Sequence, residues 1–265
     1  MSKGSLYLYA VVPSDTGAPA GPGLGDRPVS VVTSGRLGVL VSEVGDGPLQ
    51  VSGANLRRHQ QVVEEAHRAT TTLPFRYGVV ADSERALVES FLEDHAELLA
   101  SKLGDFEGTT ELRVTARYQG DAALRELLET SPRLRRLRRS IAGRPEAATY
   151  HARIELGEEV AAGLAGLRER DSAACSRLLS RRARLERPLE PVSQEQAFRA
   201  AYLVARGELA HFEAALEEYS REQQGRLDIE LTGPMAPWDF VEMDRSDLEA
   251  SRRLTTSGHK GRWAS

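Results

Sequence analysis

The sequence predicts an α+β protein of two domains, and three observations lead there. Runs in which apolar and polar side chains alternate, as in half-buried strands, occur at both ends and in the middle of the chain. They are separated by stretches whose apolar residues recur every three to four positions, as on one face of a helix. From Thr110 onward the predicted order is strand, helices, strand, strand, helix, strand. That is the split βαββαβ pattern of a ferredoxin-like sandwich, here with an enlarged helical first crossover. The expected domains are 1–107 (α+β), 108–241 (ferredoxin-like, helical insertion at about 120–180) and a polar tail, 242–265.

The 265 residues suffice for one large or two modest domains, and 40% hydrophobic with 28% charged residues is a globular composition. No apolar run approaches the roughly 20 residues of a membrane span. The start, Met1-Ser-Lys-Gly-Ser, lacks the regions of a signal peptide, so a cytoplasmic location is expected. A net charge of -4 argues against a general nucleic-acid binder. The single Cys175 excludes an internal disulfide and a multi-cysteine metal site, and its helical, alanine-rich setting suits a small buried residue.

Leu6–Val12 predicts the first strand. Ser14–Gly25 is a Gly/Pro/Ala-rich connection, expected to be flexible. Its glycines lack the Lys-Ser/Thr and the helix that a phosphate loop needs. Val29–Thr33 and Leu37–Val44 predict a hairpin through Ser34-Gly35-Arg36. Ser52 is the expected N-cap of a helix with Leu56, His59, Val62, Val63 and Ala66 on its apolar face. His59 and His67 lie two turns apart, too far to share a metal unaided, so a structural role is expected for both. Thr72–Val80 predicts one strand with Phe75, Tyr77 and Val79 on one face. Arg76, on the other, can bind an anion or pair with a carboxylate; pairing is the expectation. Asp82 or Ser83 caps a helix striped by Leu87, Phe91, Leu98 and Leu99.

Glu111–Tyr118 alternates without a break: Leu112, Val114, Ala116 and Tyr118 on one face, Glu111, Arg113, Thr115 and Arg117 on a wet face. Asp121 is the expected cap of a helix through Leu124, Leu127 and Leu128. Arg133, Arg135, Arg136, Arg138 and Arg139 cluster on a short helix whose Leu134, Leu137 and Ile141 form an apolar stripe. RNA, an acidic membrane surface and an acidic partner all suit such a face, and a solvated face is the default. A long helix follows, with Tyr150, Ile154, Val160, Leu164, Leu167, Cys175 and Leu178 in its apolar rhythm and Gly157, Gly163 and Gly166 allowing close packing. Two strands (Ala183–Leu189 and Ala197–Ala205), a helix with Leu209, Phe212, Leu216 and Tyr219, and the strand Leu227–Leu231 complete the set. Gly233-Pro234 is expected to end that last strand. The corner Leu231–Val241 offers a ligand site or an aromatic anchor, and the anchor is the expectation.

Three segments carry a resemblance: Thr72-Leu-Pro-Phe-Arg-Tyr-Gly-Val-Val, the helix end Leu98-Leu-Ala-Ser-Lys-Leu with Gly108-Thr-Thr-Glu-Leu-Arg-Val-Thr, and Leu231-Thr-Gly-Pro-Met-Ala-Pro-Trp-Asp-Phe-Val. In this order and spacing they resemble the gas vesicle synthesis proteins of the GvpL/GvpF family. The motif residues are Leu73, Pro74, Arg76, Gly78, Gly233, Pro234, Pro237, Trp238 and Phe240, with structural roles expected. The family usually reads Gly-Pro-Trp-Pro-Pro-Tyr-Ser-Phe-Val; here Met235 stands at the Trp, Ala236 at a Pro, Trp238 at the Tyr and Asp239 at the Ser. The resemblance implies a non-catalytic accessory or minor structural protein of gas vesicle assembly. It would bind the small hydrophobic shell protein and other accessory proteins without a cofactor or metal. Arg135, Arg136, Arg138 and Arg139 are the candidate partner surface.

Overall fold

A computed structural model describes residues 5–44, 49–193 and 195–241. The expected tail, 242–265, lies outside them. The chain divides into two units, residues 1–111 with 234–265 and residues 112–233. It therefore leaves the first unit within one strand and returns to it within another.

In the first unit, strands β1 (Leu6–Pro13), β2 (Ser30–Ser34) and β3 (Leu37–Glu43) form a sheet with the short strands β4 (Leu73–Pro74) and β5 (Val80–Ala81). The order is β2-β3-β1-β4, with β5 also on β1. The β2–β3 hairpin closes at Ser34↔Leu37, where Gly35 takes a φ of 57°. β1 pairs antiparallel with β3 through a bulge between Leu8 and Ala10. The extra residue, Tyr9, resets the alternation. As a result Tyr7 and Tyr9 share a cluster with Ala10 and Val12, facing Val62, Val63 and Ala66 of helix α1 (Gly53–Ala69). Ser52 caps α1 by accepting from the Asn55 amide at 3.1 Å.

The stretch after α1 differs from the single strand expected. Val11↔Leu73 and Ala10↔Pro74 pair first, then Tyr7↔Val80 and Leu6↔Ala81. Two residues of β1 (8 and 9) thus oppose five (75–79), so three extra residues loop outward. Gly78, at φ 100°, supplies the left-handed turn that this requires.

Ser83, not Asp82, caps the next helix through the Ala86 amide (3.1 Å). α2 (Glu84–Leu87) runs into a π-helical turn, Val88–Glu93, before α3 (Ala96–Asp105). A π turn inserts residues relative to an ideal helix and rotates the downstream turns about the axis. Leu87, Phe91, Leu92, Leu99 and Leu103 are buried, whereas Leu98, expected inside, faces solvent.

In the second unit, β6 (Thr109–Tyr118), β7 (Leu185–Leu189), β8 (Gln196–Ala205) and β9 (Leu227–Met235) form a sheet in the order β7-β8-β6-β9. Leu112, Val114 and Ala116 of β6 and Phe198, Ala200, Tyr202 and Val204 of β8 meet Phe212, Leu216 and Tyr219 of α7 (Leu209–Glu222). Cys175 and Leu179, near the end of the 34-residue α6 (Glu146–Leu179), close the same core. A second cluster joins α4 (Ala122–Thr130), α5 (Pro132–Ile141) and α6 through Ala123, Leu127, Leu134 and Leu167. At Gly163 a Cβ would come within 2.9 Å of Leu127 Cδ2, so the glycine lets α4 and α6 approach; Gly157 and Gly166 face open space.

Four expectations need correction here. Tyr150 and Ile154 are exposed, because only the later part of α6 lies on the sheet. Asp121 makes no side-chain cap bond; its carbonyl accepts from the Arg125 amide. Glu111 and Thr115 are buried, so the wet face of β6 is confined to Arg113 and Arg117. β9 continues through Gly233-Pro234 to Met235, which an edge strand tolerates because a proline there forfeits no obligatory ladder donor.

Candidate functional site

Within the first unit, two carboxylates, Glu64 and Glu111, hold the corner after β9. Pro237 disfavours a helical backbone at Ala236, and the Ala236 amide donates to both oxygens of Glu64, at 3.2 and 3.0 Å. The Trp238 indole Nε1–H donates to the same group at 2.8 Å. Glu64 projects from α1, where the pair Glu64-Glu65 reads from sequence as a solvated helix face. Both are anchors instead: Glu65 accepts from the Ala20 amide at 2.9 Å. One residue further along the corner, the Asp239 amide donates to the buried Glu111 at 2.8 Å. Phe240 is half-buried, and its amide donates to the Pro237 carbonyl.

Trp238 packs at the edge of a ring cluster centred on His59. Tyr7, Tyr9, Tyr77 and Trp238 all lie with centroids 5.6–5.9 Å from the imidazole, Tyr9 stacked and Tyr7 and Tyr77 edge-on. The Phe75 carbonyl, 3.0 Å from His59 Nε2, can only accept, so Nε2 carries the proton. Nδ1 then accepts from the Tyr7 hydroxyl at 2.8 Å. Burial pushes the His59 pKa down to about 4, partly opposed by the Phe75 carbonyl. This is a neutral, fully bonded histidine.

Two further polar chains fix loops to this unit. The Leu24 amide donates to Tyr9 Oη (2.7 Å), which donates to Ser42 Oγ (3.1 Å), which donates to the Pro28 carbonyl (3.0 Å). Gly23 sits so close that a Cβ would fall 2.3 Å from Ser42 Oγ and 2.4 Å from Tyr9 Oη. The connection expected to be flexible is therefore tied down, and this glycine serves close approach. His67 bridges Thr72 and Thr110 at 2.9 and 3.3 Å, and Thr110 Oγ1 donates to the Met235 carbonyl at 2.9 Å.

The motif residues fall accordingly. Leu73 and Pro74 are buried on β1, Gly78 turns the three-residue loop, and Pro237 and Trp238 seat the corner. Gly233 (φ 127°) and Pro234 are exposed. Arg76 is exposed and, among the described residues, pairs with no carboxylate, contrary to expectation: the outward loop carries it away from the sheet.

The second unit holds a half-buried ionic cluster that the sequence reading missed. Asp171 accepts from Tyr118 Oη (2.8 Å) and from Arg226 (2.9 and 2.8 Å), and Arg226 Nε donates to Glu126 at 2.7 Å. Arg170 also pairs with Glu126. Burial alone would lower the Arg226 pKa, but Asp171 and Glu126 carry it above its ordinary value. For Glu126, burial is outweighed by Arg226 and Arg170, which hold it below the usual carboxylate range. Cys175 is buried, with its thiol pushed up to about 12 by desolvation, and is inert as a nucleophile.

Five arginines line α5, capped by Ser131. Arg133 pairs with Glu155 (3.0 Å) and Glu159 (3.3 Å) of α6. Arg135 donates to the Leu128 and Glu129 carbonyls at the end of α4 (2.9 and 2.6 Å). Arg139 donates to the Arg135 carbonyl (3.2 Å), and Arg136, Arg138 and Arg139 are exposed with no carboxylate partner among the described residues.

Taken together, the mixed fold of helices and two sheets places this chain in a class already represented among solved structures. It matches the crystal structure of gas vesicle protein GvpF from Anabaena sp. PCC7120 with a TM-score of 0.82 at 22% identity, over 91% of this chain and 99% of that one. The structure of GvpF from Microcystis aeruginosa matches with a TM-score of 0.72 at 21% identity, over 90% of this chain and 99% of that one. Among sequences, gas vesicle protein F of Streptomyces sp. (strain CB03234) is 29% identical over 90% of this chain and all of that protein. Gas vesicle protein L1 of Halobacterium salinarum is 32% identical over half of each chain. The gas vesicle synthesis protein GvpL/GvpF family profile spans residues 5–242, and the chain belongs to this family.

Proposed function

We propose that this protein is a non-catalytic accessory or minor structural component of gas vesicle assembly. In this reading it binds the small hydrophobic shell protein and other accessory proteins in the cytoplasm and associates with the growing vesicle. The observation that carries the reading is the family match along residues 5–242. An apolar, aggregation-prone subunit needs a partner surface until it joins a shell. Support for such a surface comes from the sheet edges β7 and β9 and from the helical insertion, which exposes Leu124, Tyr150 and Ile154. We further read the second unit, residues 112–233 rather than the expected 108–241, as the ferredoxin-like domain; the order β7-β8-β6-β9 corresponds to the 2-3-1-4 arrangement of its βαββαβ strands.

The test is co-purification of the shell protein with the tagged full chain, alongside vesicle formation in cells lacking this protein. Retention of the shell protein and loss of vesicles support the proposal. Failure of the chain to retain any shell protein refutes the binding reading. A second reading, an RNA- or acidic-partner-binding module at Arg133–Arg139, is favoured by Arg136, Arg138 and Arg139 of α5, which have no carboxylate partner among the described residues.

A further inference from the structure

Where α4 and α5 adjoin lies a groove of about 570 Å³, lined by Leu128, Glu129, Arg135, Arg138, Arg139 and Ala142. Its composition is unusual for a solvated helical face. The lining is mostly apolar, with Leu128 and Ala142 beside arginines whose long methylene stems can cover apolar surface while their charged ends stay in water. Three rim cations face one carboxylate, Glu129. Arg135 is oriented by the two carbonyls that end α4, so its charge is held in place rather than free to swing away. Among the described residues Arg138 and Arg139 have no carboxylate partner, and Arg139 donates to a backbone oxygen. A face built merely for solubility intersperses both signs and shows no apolar floor.

We propose that this groove seats an acidic amphipathic helix of a partner protein. Apolar side chains of that helix would lie on Leu128 and Ala142, and its carboxylates would pair with Arg138 and Arg139. Charge complementarity over an apolar floor selects this occupant. RNA fits less well, because no aromatic side chain lines the groove for a base to stack on. The inference rests on reading the protein as a binding module, but it does not require the occupant to be the shell protein.

The probe is a fluorescein-labelled helical peptide of about fourteen residues, four turns, with leucines along one face and glutamates on the other. It is titrated against the full chain by fluorescence anisotropy at about 0.1 M salt, where rim charges still act across about 10 Å. Saturable binding is expected. It should weaken about tenfold or more in the Arg138→Glu/Arg139→Glu double variant, equivalent to about 1.4 kcal/mol, and stay unchanged in Arg36→Glu/Arg181→Glu, which alters charge equally at exposed sites elsewhere. A peptide with serines in place of the leucines should bind at least about tenfold more weakly as well. Circular dichroism confirms that the variants are folded.

The proposal is overturned by no saturable binding, by equal binding of the serine peptide, or by equal loss in the control variant. It is also overturned if an oligouridylate or phosphatidylserine vesicles bind more tightly through the same arginines. Co-purification of the shell protein with the unaltered chain separates the two readings. Shell capture without peptide binding sinks only the groove; peptide binding without shell capture sinks only the shell-protein reading.

Discussion

The bond between Trp238 and Glu64 makes a quantitative claim about how the corner is held. Replacing Trp238 by Phe removes the 2.8 Å indole donor while keeping an aromatic ring beside His59. A hydrogen bond to a charged group contributes about 1.5–3 kcal/mol. Glu64 keeps the Ala236 amide as a second donor, so the lower end, about 1.5 kcal/mol, is expected. Trp238→Ala also loses ring contacts. A fully buried aromatic costs about 3–5 kcal/mol on truncation, and this ring is half-buried, so about 3 kcal/mol is expected. Glu64→Gln leaves one acceptor oxygen but turns an amide donor toward one of the two N–H groups. If Trp238 and Glu64 act through one bond, the Trp238→Phe/Glu64→Gln cycle should show a coupling of about 1 kcal/mol. Urea denaturation followed by circular dichroism is the readout, because tryptophan fluorescence changes with the substitution itself. Additive effects, or a midpoint for Trp238→Ala within about 0.3 kcal/mol of the unaltered chain, would refute the anchoring role.

Other consequences can be measured on the same protein. His59 is neutral when folded, with its pKa depressed from 6.5 to about 4, so the unfolded chain binds the proton more readily. The resulting stability is fully present above pH 6.5 and is lost as pH falls toward 4, by up to about 3 kcal/mol. Denaturation at stepped pH should show a shallower acid slope for His59→Gln than for the unaltered chain; equal slopes would exclude the assignment. Arg226→Met removes both guanidinium bonds to the buried Asp171 and the bond to Glu126, leaving Asp171 only the more distant Arg170 cation at 3.7 Å, and should cost about 3 kcal/mol; a loss below about 1 kcal/mol would show that Arg170 and solvent replace the arginine. Gly23→Ala drives a methyl into Ser42 and Tyr9 and should cost about 2 kcal/mol, visible as faster proteolysis within residues 14–28. Unchanged cleavage would mean that the loop gives way freely.

Most of the strands, and the caps at Ser52 and Ser83, were legible because they depend on local periodicity and on a hydroxyl three residues before an amide. The placement of Phe198, Tyr202, Phe212 and Tyr219 in one core follows from the same rhythms. Partnerships between distant residues left no such trace. Nothing in Glu64-Glu65 distinguishes an anchoring carboxylate from a solvated one until the corner meets it, and Glu111 alternated as if wet while lying buried. The three-residue outward loop at Arg76–Gly78 was hidden because its residues keep the alternation of a strand; Gly78 was the available signal. Tyr150 and Ile154 kept a helical rhythm, yet rhythm does not reveal how far along a helix its covering sheet extends.

The return of the chain within β9 also sets an order of events. Glu64 meets its donor on Ala236, 172 residues later in the sequence. At about 5–20 residues per second of synthesis, that carboxylate waits on the order of ten to thirty seconds on a nascent chain. The side of α1 that will carry Trp238 stays uncovered throughout, while the whole of residues 112–233 is made. The first unit to begin is thus the last to finish, and a ribosome stalled before residue 234 would leave it open at the His59 cluster.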